Sequence, residues 1–317
     1  GVRFTPILDE NKNGVPLRPT WHHASTNAFK TSKPGMKQPT EKNPAAAVII
    51  STYNQPAWLE KVLWGYEQQT VTDFEIILAD DGSGEATQLL IERFMESSPL
   101  HIRHVWQADE GFQKSRILNK AIQTAKSNYL IFTDQDCIPR EDFVETHLKH
   151  ARKGYFISGG YYKLTMPVSL NLTRVDVENR QAFNLAWLKQ QGQPMTFKAT
   201  KLFRSPFYAT LMNTLTPAKA SWNGCNSSGW RSDMILINGF NEDMQYGGQD
   251  REFGERLVNA GIKPLQMRYS AICLHLDHKR PYKTPETLKK NKAIREHTRK
   301  NRVIQTPNGL RKLNPSA

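Results

Sequence analysis

Two carboxylates stand at the end of a short apolar segment near the middle of this 317-residue chain. The segment Tyr129–Thr133 has the pattern of a buried strand, and Asp134 and Asp136 follow it directly. Open α/β sheets bind ligands at the carboxyl ends of their strands, so we expect both side chains in a binding crevice. Mg²⁺ and Mn²⁺ prefer such oxygens and often complete their shell with water and phosphate oxygens. The spacing therefore indicates a metal and diphosphate site, with two solvated turn residues as the alternative.

Two further polar segments follow the same logic. Asp80 and Asp81 come after a second apolar strand, where a carboxylate can hydrogen-bond a ribose or a base, although a plain Asp-Gly turn would also explain them. Residues 111–116, Gly-Phe-Gln-Lys-Ser-Arg, precede an amphipathic helix. Backbone N–H groups and basic side chains at a helix start suit a phosphate or a nucleotide edge, and a solvated helix start is the alternative.

The second half of the chain contains another carboxylate and two histidines with chemical potential. Gly247 and Gly248 let a ligand approach the backbone closely, and Asp250 falls at a predicted helix N-terminus, where the helix dipole favours its ionised form. An ionised carboxylate beside a sugar can act as a general base, and helix capping is the alternative role. His275 and His278 follow, and a neutral imidazole is a suitable additional metal ligand.

The elements that must position these residues alternate between strand and helix from residue 46 to residue 133. Strands are predicted over 46–51, 74–79, 102–106 and 129–133, with helices beginning near Pro56 and covering 86–95 and 117–125. This alternation predicts a parallel sheet with right-handed crossovers, and hence a three-layer α/β half. Beyond it we predict a strand over 156–161, a helix over 250–260 and a strand over 270–274. The polar stretch 163–221 predicts irregular binding loops or lids.

The charge is concentrated at one end of the chain. The net charge is +13, and residues 279–317 hold twelve Lys and Arg against two acidic residues. Such a run fits a solvated helix, an anionic membrane surface or an acidic substrate. Nucleic acid is disfavoured because the run has a single aromatic residue for base stacking, Tyr282.

The remaining bulk features concern the compartment. No apolar run approaches the ~20 residues of a membrane span, the first residues lack a signal-peptide pattern, and the three cysteines are widely spaced. These features predict a cytoplasmic protein, with peripheral attachment to the inner face of the membrane through the basic tail as a further option.

Together the segments resemble the inverting GT-A glycosyltransferases, in particular family 2 enzymes whose C-terminal half is similar to that of the β-1,4-galactosyltransferases and the bacterial chondroitin polymerases. The resemblance covers about residues 46–278 and rests on seven segments in matching order together with the late histidines: 49–54, 80–83, 111–119, 134–136, 224–226, 239–242 and 247–250. It implies a Rossmann-like nucleotide-binding sheet flanked by helices and merged with an acceptor-binding half. The chain then divides into an extended arm (1–44), a nucleotide-sugar-binding half (45–162), an acceptor-binding and catalytic half (163–278) and a basic tail (279–317).

The resemblance also implies a role for each candidate residue. A UDP-sugar donor would be held by the residues at the sheet edge, with Mn²⁺ or Mg²⁺ as cofactor and a hydroxyl of a glycan or glycoconjugate as acceptor. Thr52, Asp80 and Asp81 would hold the uracil and ribose, with Arg116 nearby. Asp134 would face the ribose or the donor sugar. Asp136 and His278 would bind the metal, with His275 as the fallback ligand. Asp250 would be the catalytic base. In one departure, Gln249 replaces the Glu of the usual Gly-Gly-Glu-Asp.

Three other functions compete with this interpretation. A phosphatase could use a nucleophilic Asp in an Asp-x-Asp pair, but that layout places the pair on the first strand of its core, whereas three strands precede it here. A nucleic-acid binder would leave the Gly-Gly-Gln-Asp and His segments without a purpose. A catalytically inactive relative that binds a sugar nucleotide or a glycan is the third alternative.

Overall fold

The protein was analysed as a computed structural model that describes residues 42–278 and 284–313. The predicted arm over 1–44 therefore lies almost wholly outside the described residues, as do residues 279–283 and 314–317 of the predicted tail. None of the helices in the described part of the chain is long and apolar enough to cross a bilayer.

A single mixed sheet extends through both predicted halves. Its eight strands are β1 (Ala46–Thr52), β2 (Phe74–Asp80), β3 (His101–Trp106), β4 (Tyr129–Asp134), β5 (Cys137–Pro139), β6 (Tyr155–Lys163), β7 (Ser227–Trp230) and β8 (Lys263–His275). They lie side by side in the order β3-β2-β1-β4-β7-β6-β8-β5. The strands β1 to β4 are parallel to their neighbours within that group, as predicted, whereas β7 runs antiparallel to β4 and β6.

Eleven α-helices surround the sheet in the described residues: α1 (Pro56–Glu67), α2 (Glu85–Ser97), α3 (Lys114–Thr124), α4 (Phe143–Lys149), α5 (Met166–Asn171), α6 (Arg174–Glu178), α7 (Leu185–Gln190), α8 (Pro206–Leu215), α9 (Arg231–Leu236), α10 (Gln249–Asn259) and α11 (Pro285–Lys300). Short 3₁₀ helices cover Gln181–Phe183 and Phe197–Leu202.

The two faces of the sheet explain the apolar character of its first strands. Alternate residues of β1 point to opposite faces, so Val48 and Ile50 pack with α1 and α2, while Ala47 and Ile49 pack with α3. All of these side chains are fully buried. Because both faces of β1 are covered, the strand is apolar throughout and does not alternate with polar residues. The predicted three-layer α/β arrangement is confirmed.

The stretch 163–221 differs from its predicted irregular form, because it contains the four helices α5 to α8 and both 3₁₀ helices. Each helix has at most ten residues, which is too short to show a helical repeat in the sequence. Side-chain caps define three of the starts: Thr173 forms a capping box with Asp176, Asn184 accepts two backbone N–H groups, and Ser205 accepts one. The segment is therefore ordered by local caps and by packing on β6 and β8.

The described part of the tail is packed against the second half of the sheet. Asn291 on α11 is buried, and its side-chain amide donates to the backbone carbonyls of residues 245–247 at 2.9–3.2 Å. Arg295 forms an ion pair with Glu255 of α10 at 2.6 Å. One face of α11 thus holds the glycine loop that precedes α10, whereas Lys289, Lys290 and Lys292 are exposed.

Candidate active site

The carboxyl ends of three neighbouring strands bring three of the predicted residues together. Thr52 ends β1 and is paired in register with Asp80 at the end of β2, while Ser51 is paired with Asp134 at the end of β4. Because these strands are parallel, their ends lie at one edge of the sheet, as the strand pattern predicts. Gln135 then ties the end of β4 to the residue after β1, since its side-chain amide exchanges hydrogen bonds of 3.0 and 2.8 Å with the backbone of Tyr53.

The acidic pair after β2 is engaged by the protein itself. Asp80 is fully buried and accepts hydrogen bonds from the Ser83 N–H and from His104 Nε2, both at 2.8 Å. Asp81 accepts from Gln107 Nε2 at 2.7 Å and from the Gln113 N–H at 2.8 Å. Asp80 thus shapes the turn after β2, and Asp81 holds the loop that leads into α3. Their predicted contacts with uracil and ribose stay predictions.

Arg116 belongs to the same loop network. Its Nε donates to Gln107 Oε1 at 3.2 Å and its Nη1 forms an ion pair with Glu110 at 2.8 Å. Burial raises the pKa of Asp81, although the Gln107 and Gln113 hydrogen bonds and the Arg116 charge oppose that rise. Gln107 therefore connects two predicted nucleotide-binding residues. The sequence analysis missed it because a single glutamine after a strand carries no distinctive pattern.

Lys114 connects the nucleotide edge to the predicted base. Its ammonium group lies 2.6 Å from Asp134 Oδ1. Burial alone would lower the pKa of Lys114, but the negative charges of Asp134 and Asp250 outweigh this effect and raise it. A lysine at the first position of a helix opposes the helix dipole, so its presence at the start of α3 is a sequence signal for a nearby anionic partner. That signal could have identified Lys114.

Asp250 lies in the first turn of α10, after the left-handed residues Gly247 and Gly248. Its Oδ1 is shielded from solvent and has no hydrogen-bond partner among the described residues, although the residue as a whole is partly exposed. Burial is the main cause of a raised pKa, which the charge of Asp134 increases and that of Lys114 decreases. The helix dipole at this position acts in the opposite direction and favours the ionised form, so the ionised state of Asp250 at neutral pH stays a prediction.

Gly224 makes room for this carboxylate. A Cβ atom built on Gly224 would lie 2.7 Å from Asp250 Oδ2 and 2.8 Å from Oδ1, closer than real Cβ contacts. The backbone of Gly224 also hydrogen-bonds Asp250, which favours the ionised form. Gly224, the first residue of the Gly-Cys-Asn segment, thus leaves space for the predicted base because it has no side chain.

Asp136 lies beside both late histidines. Its Oδ2 is 2.9 Å from His278 Nε2 and 3.8 Å from His275 Nε2, and the two imidazole rings are stacked. Burial would raise the pKa of Asp136, but the His278 hydrogen bond and the charges of both histidines lower it. His275 Nδ1 is 2.8 Å from the Leu276 carbonyl oxygen, so this nitrogen donates a hydrogen bond to it and Nε2 is the ring nitrogen that faces Asp136.

Cys137 adds a third kind of donor at this position. It is paired in register with His275 between β5 and β8, and its thiol lies 3.4 Å from Asp136 Oδ1. Donor atoms of Asp136, Cys137 and His275 all lie within 4.8 Å of one another. His275 belongs to this group of three donors, and His278 is closer to Asp136 than His275 is. Either histidine can therefore contribute a ligand. The oxygen and imidazole donors fit Mn²⁺ or Mg²⁺.

Comparisons with known proteins identify the family and the fold of this chain. The family described as Glycosyl transferase family 2 matches residues 47–209, and the one described as N-terminal domain of galactosyltransferase matches residues 214–281. A chondroitin synthase of Pasteurella multocida is 26% identical over 251 residues, which cover 71% of this chain and 24% of that protein. The chain thus spans about a quarter of the length of this relative.

Solved structures share the fold. A mannosyltransferase from Pyrobaculum calidifontis, in complex with GDP-Man and Mn²⁺, aligns with a TM-score of 0.51 and 18% identity over 76% of this chain and 59% of that one. GalNAc-T7 with UDP, GalNAc and Mn²⁺ aligns with a TM-score of 0.53 and 13% identity over 81% of this chain and 48% of that one. Since the first family matches more than half of the residues, this chain belongs to glycosyltransferase family 2 and is a glycosyltransferase with a GT-A fold.

Proposed function

We propose that this glycosyltransferase is metal dependent and moves a sugar from a UDP-sugar to a hydroxyl of a glycan or glycoconjugate with inversion at the anomeric carbon. The observation that carries the proposal is the group formed by Asp134, Lys114 and Asp250 at the edge of the sheet. Asp136, two residues after Asp134, contacts His278. The site combines a cation-binding carboxylate with a partly buried carboxylate of raised pKa. A raised pKa makes Asp250 a stronger base than an ordinary carboxylate, which favours removal of a proton from a hydroxyl.

The nucleotide would lie along the ends of β1 and β2. Thr52, Asp80 and Asp81 contribute the edge at which uracil and ribose bind, and Arg116 is anchored beside it by Gln107. Asp134 faces the ribose or the donor sugar, where Lys114 neutralises part of its charge. Asp136 and His278 would hold the divalent cation, which when bound stabilises negative charge on a leaving diphosphate. His275 is the alternative ligand.

Asp250 takes the proton of the acceptor hydroxyl. The acceptor oxygen then forms a bond to the anomeric carbon, the bond from that carbon to the diphosphate oxygen breaks, and the electron pair leaves with the diphosphate. A single displacement converts an α-linked donor into a β-glycoside. Unlike Asp250, its neighbour Gln249 is turned back into its own loop, because its Oε1 accepts the Gly247 N–H at 2.9 Å. An acceptor role carried by the usual Glu at this position therefore does not transfer to this chain.

The comparisons support the class of donor more strongly than its identity. GalNAc-T7 with UDP favours a UDP-sugar, whereas the mannosyltransferase carries GDP-Man. A polysaccharide or glycoconjugate acceptor rests on the same relatives. Family membership argues against the phosphatase alternative, and donor turnover in the screen below would exclude an inactive relative.

A donor screen tests the proposal. We expect Mn²⁺-dependent release of UDP from one UDP-sugar, loss of release with EDTA, and weaker UDP binding by calorimetry when EDTA is present. The Asp136→Asn variant should reproduce the effect of EDTA without added chelator. Release from GDP-Man in preference to every UDP-sugar would contradict the donor assignment, and equal UDP affinity with and without EDTA would contradict the metal.

We also propose that the exposed basic face of α11 attracts the protein to anionic surfaces, either a cytoplasmic membrane leaflet or an acidic acceptor. Lys289, Lys290 and Lys292 are on the solvent side of this helix or near it. Because the opposite face is packed against α10, replacing these three lysines by glutamine is a better test than removing the tail. Vesicle sedimentation should fall in a salt-sensitive manner. Unchanged sedimentation would mean that the basic residues of α11 only form a solvated helix face.

A further inference from the structure

Helix α8 presents an apolar face to solvent. Phe207, Leu211 and Leu215 are spaced four residues apart, which places them on one side of the helix, and they are 79%, 43% and 63% exposed. Nearby, Phe203 and Phe197 are 43% and 67% exposed. Single exposed apolar residues are common, but a contiguous group of large ones marks an interaction surface.

The opposite side of α8 fixes the helix to the sheet. The Asn213 amide donates to Ser270 Oγ at 2.9 Å, and its Oδ1 accepts the Tyr269 N–H at 2.8 Å. The Tyr208 ring packs edge-on against Tyr269, and Ala209 is buried. The helix therefore has a polar and aromatic inner side that meets β8. Its apolar outer side is held outward by these contacts.

The segment that contains α8 is rich in basic residues. Residues 179–232 contain seven Lys and Arg and no Asp or Glu. Lys198 and Lys219, which flank α8 in the sequence, are exposed. The charges of Arg268 and Lys198 add to burial in lowering the pKa of Lys201 to about 8, as expected in a positive local field. Glu141 is the acidic partner of Arg204 and Arg180, so those two charges are partly neutralised.

We propose that the exposed face of α8 docks on the surface of an anionic lipid bilayer. Phe207, Leu211 and Leu215 enter the boundary between headgroups and acyl chains, and the flanking lysines lie among the anionic headgroups. An apolar helix face bordered by basic residues is the pattern of helices that lie in this interface. The inference does not depend on the transfer reaction, and it concerns a different surface from the basic face of α11.

The chemistry of this face argues against other occupants. Phe207, Leu211 and Leu215 offer no hydrogen bonds to the hydroxyl groups of a sugar, so a glycan would gain little there. A second copy of the chain would bring two acid-free, positively charged segments together, and their repulsion opposes association. An anionic bilayer satisfies the apolar face and the positive charges at the same time.

Vesicle binding with a matched set of variants tests the proposal. The variant with Phe207, Leu211 and Leu215 all changed to Ser should bind phosphatidylcholine–phosphatidylserine vesicles at least about tenfold more weakly than the intact protein, since each buried apolar side chain contributes substantially to partitioning. The control variant changes Leu89, Leu236 and Val258, which are 57%, 47% and 50% exposed elsewhere, to Ser. The control should bind like the intact protein, and both variants should unfold near the normal temperature.

A fluorescent probe adds a readout of insertion. Tryptophan in place of Phe207 should shift its emission to shorter wavelength with phosphatidylserine-containing vesicles and be quenched by brominated acyl chains, whereas Leu89→Trp should do neither. Absence of vesicle binding by the intact protein, or equal binding by the triple variant, would overturn the proposal. A triple variant that binds vesicles normally but changes the oligomeric mass would assign the face to self-association. Normal vesicle binding with impaired glycan transfer would assign it to the acceptor.

Discussion

Replacing Asp250 with asparagine separates a catalytic base from a helix cap. Asparagine keeps the size of the side chain and an oxygen that can accept the hydrogen bond from Gly224, but it cannot take a proton. We expect transfer to fall by about 10²–10⁴-fold, the usual contribution of a general base. This corresponds to about 2.7–5.4 kcal/mol of transition-state stabilisation. UDP and Mn²⁺ binding, measured by calorimetry, should stay close to that of the intact protein, because neither Thr52 nor Asp136 is changed.

Asp233 provides the matched control for this substitution. It also lies in the first turn of a helix, burial raises its pKa, and its Oδ2 has no hydrogen-bond partner among the described residues. Asp233→Asn therefore makes the same chemical change away from the proposed site and should leave transfer unaltered. Near-normal transfer by a folded Asp250→Asn protein would refute the base assignment, since Asn caps a helix about as well as Asp.

The raised pKa of Asp250 also predicts a change in stability with pH. A carboxyl group whose pKa is raised on folding contributes stability below its unfolded pKa of about 3.9, and that contribution is lost as the pH rises through the folded value. Asp250→Asn removes this loss. The free energy of unfolding of the variant minus that of the intact protein, measured in urea, should thus be larger at neutral pH than at acid pH. If Asp250 were instead an ionised helix cap that stabilises the fold, this difference would be smaller at neutral pH than at acid pH.

Further substitutions test two neighbours of Asp250, Lys114 and Gly224, and the two late histidines. Lys114→Gln removes a charge that lowers the pKa of Asp250, so the acid limb of the kcat/KM profile should move to higher pH. His278→Ala should raise the Mn²⁺ concentration needed for half-maximal activity more than His275→Ala does, because its Nε2 is the closer to Asp136, at 2.9 Å against 3.8 Å; the reverse order would exchange their roles. Gly224→Ala places a Cβ 2.7 Å from Asp250 Oδ2 and should reduce transfer by about 10²-fold while UDP binding persists.

A second glycine controls for the last of these changes. A Cβ on Gly229 of β7 would meet its nearest atom at 3.5 Å, an ordinary contact, so Gly229→Ala should retain transfer. Equal activity of the two alanine variants would show that Gly224 does not determine the position of Asp250. For Lys114, an unchanged pH profile would mean that its charge does not act on the base.

Much of the nucleotide half could be predicted from local sequence. The apolar runs of β1, β2 and β4, separated by helices with a clear repeat, specify parallel strands, and parallel strands bring their carboxyl ends to one edge. For that reason the positions of Thr52, Asp80 and Asp134 followed from the order of the elements alone. Short strands could not be predicted in this way. The sequence of β7, Ser-Ser-Gly-Trp, has no apolar alternation. Its buried serines are instead satisfied by hydrogen bonds, Ser227 with the nearby Asn223 N–H and Ser228 with the distant His147.

What the tertiary structure alone decided concerns contacts between distant segments. Lys114 is 20 residues from Asp134 in the sequence, and its effect on Asp250 arises only when α3 and α10 meet at the sheet edge. The rise in the pKa of Asp250 likewise comes mainly from burial by the surrounding protein. The sequence pattern reports the local repeat of each element and the chemistry of each side chain. Burial and the field of neighbouring charges depend on packing between elements, so they become defined only in the folded chain.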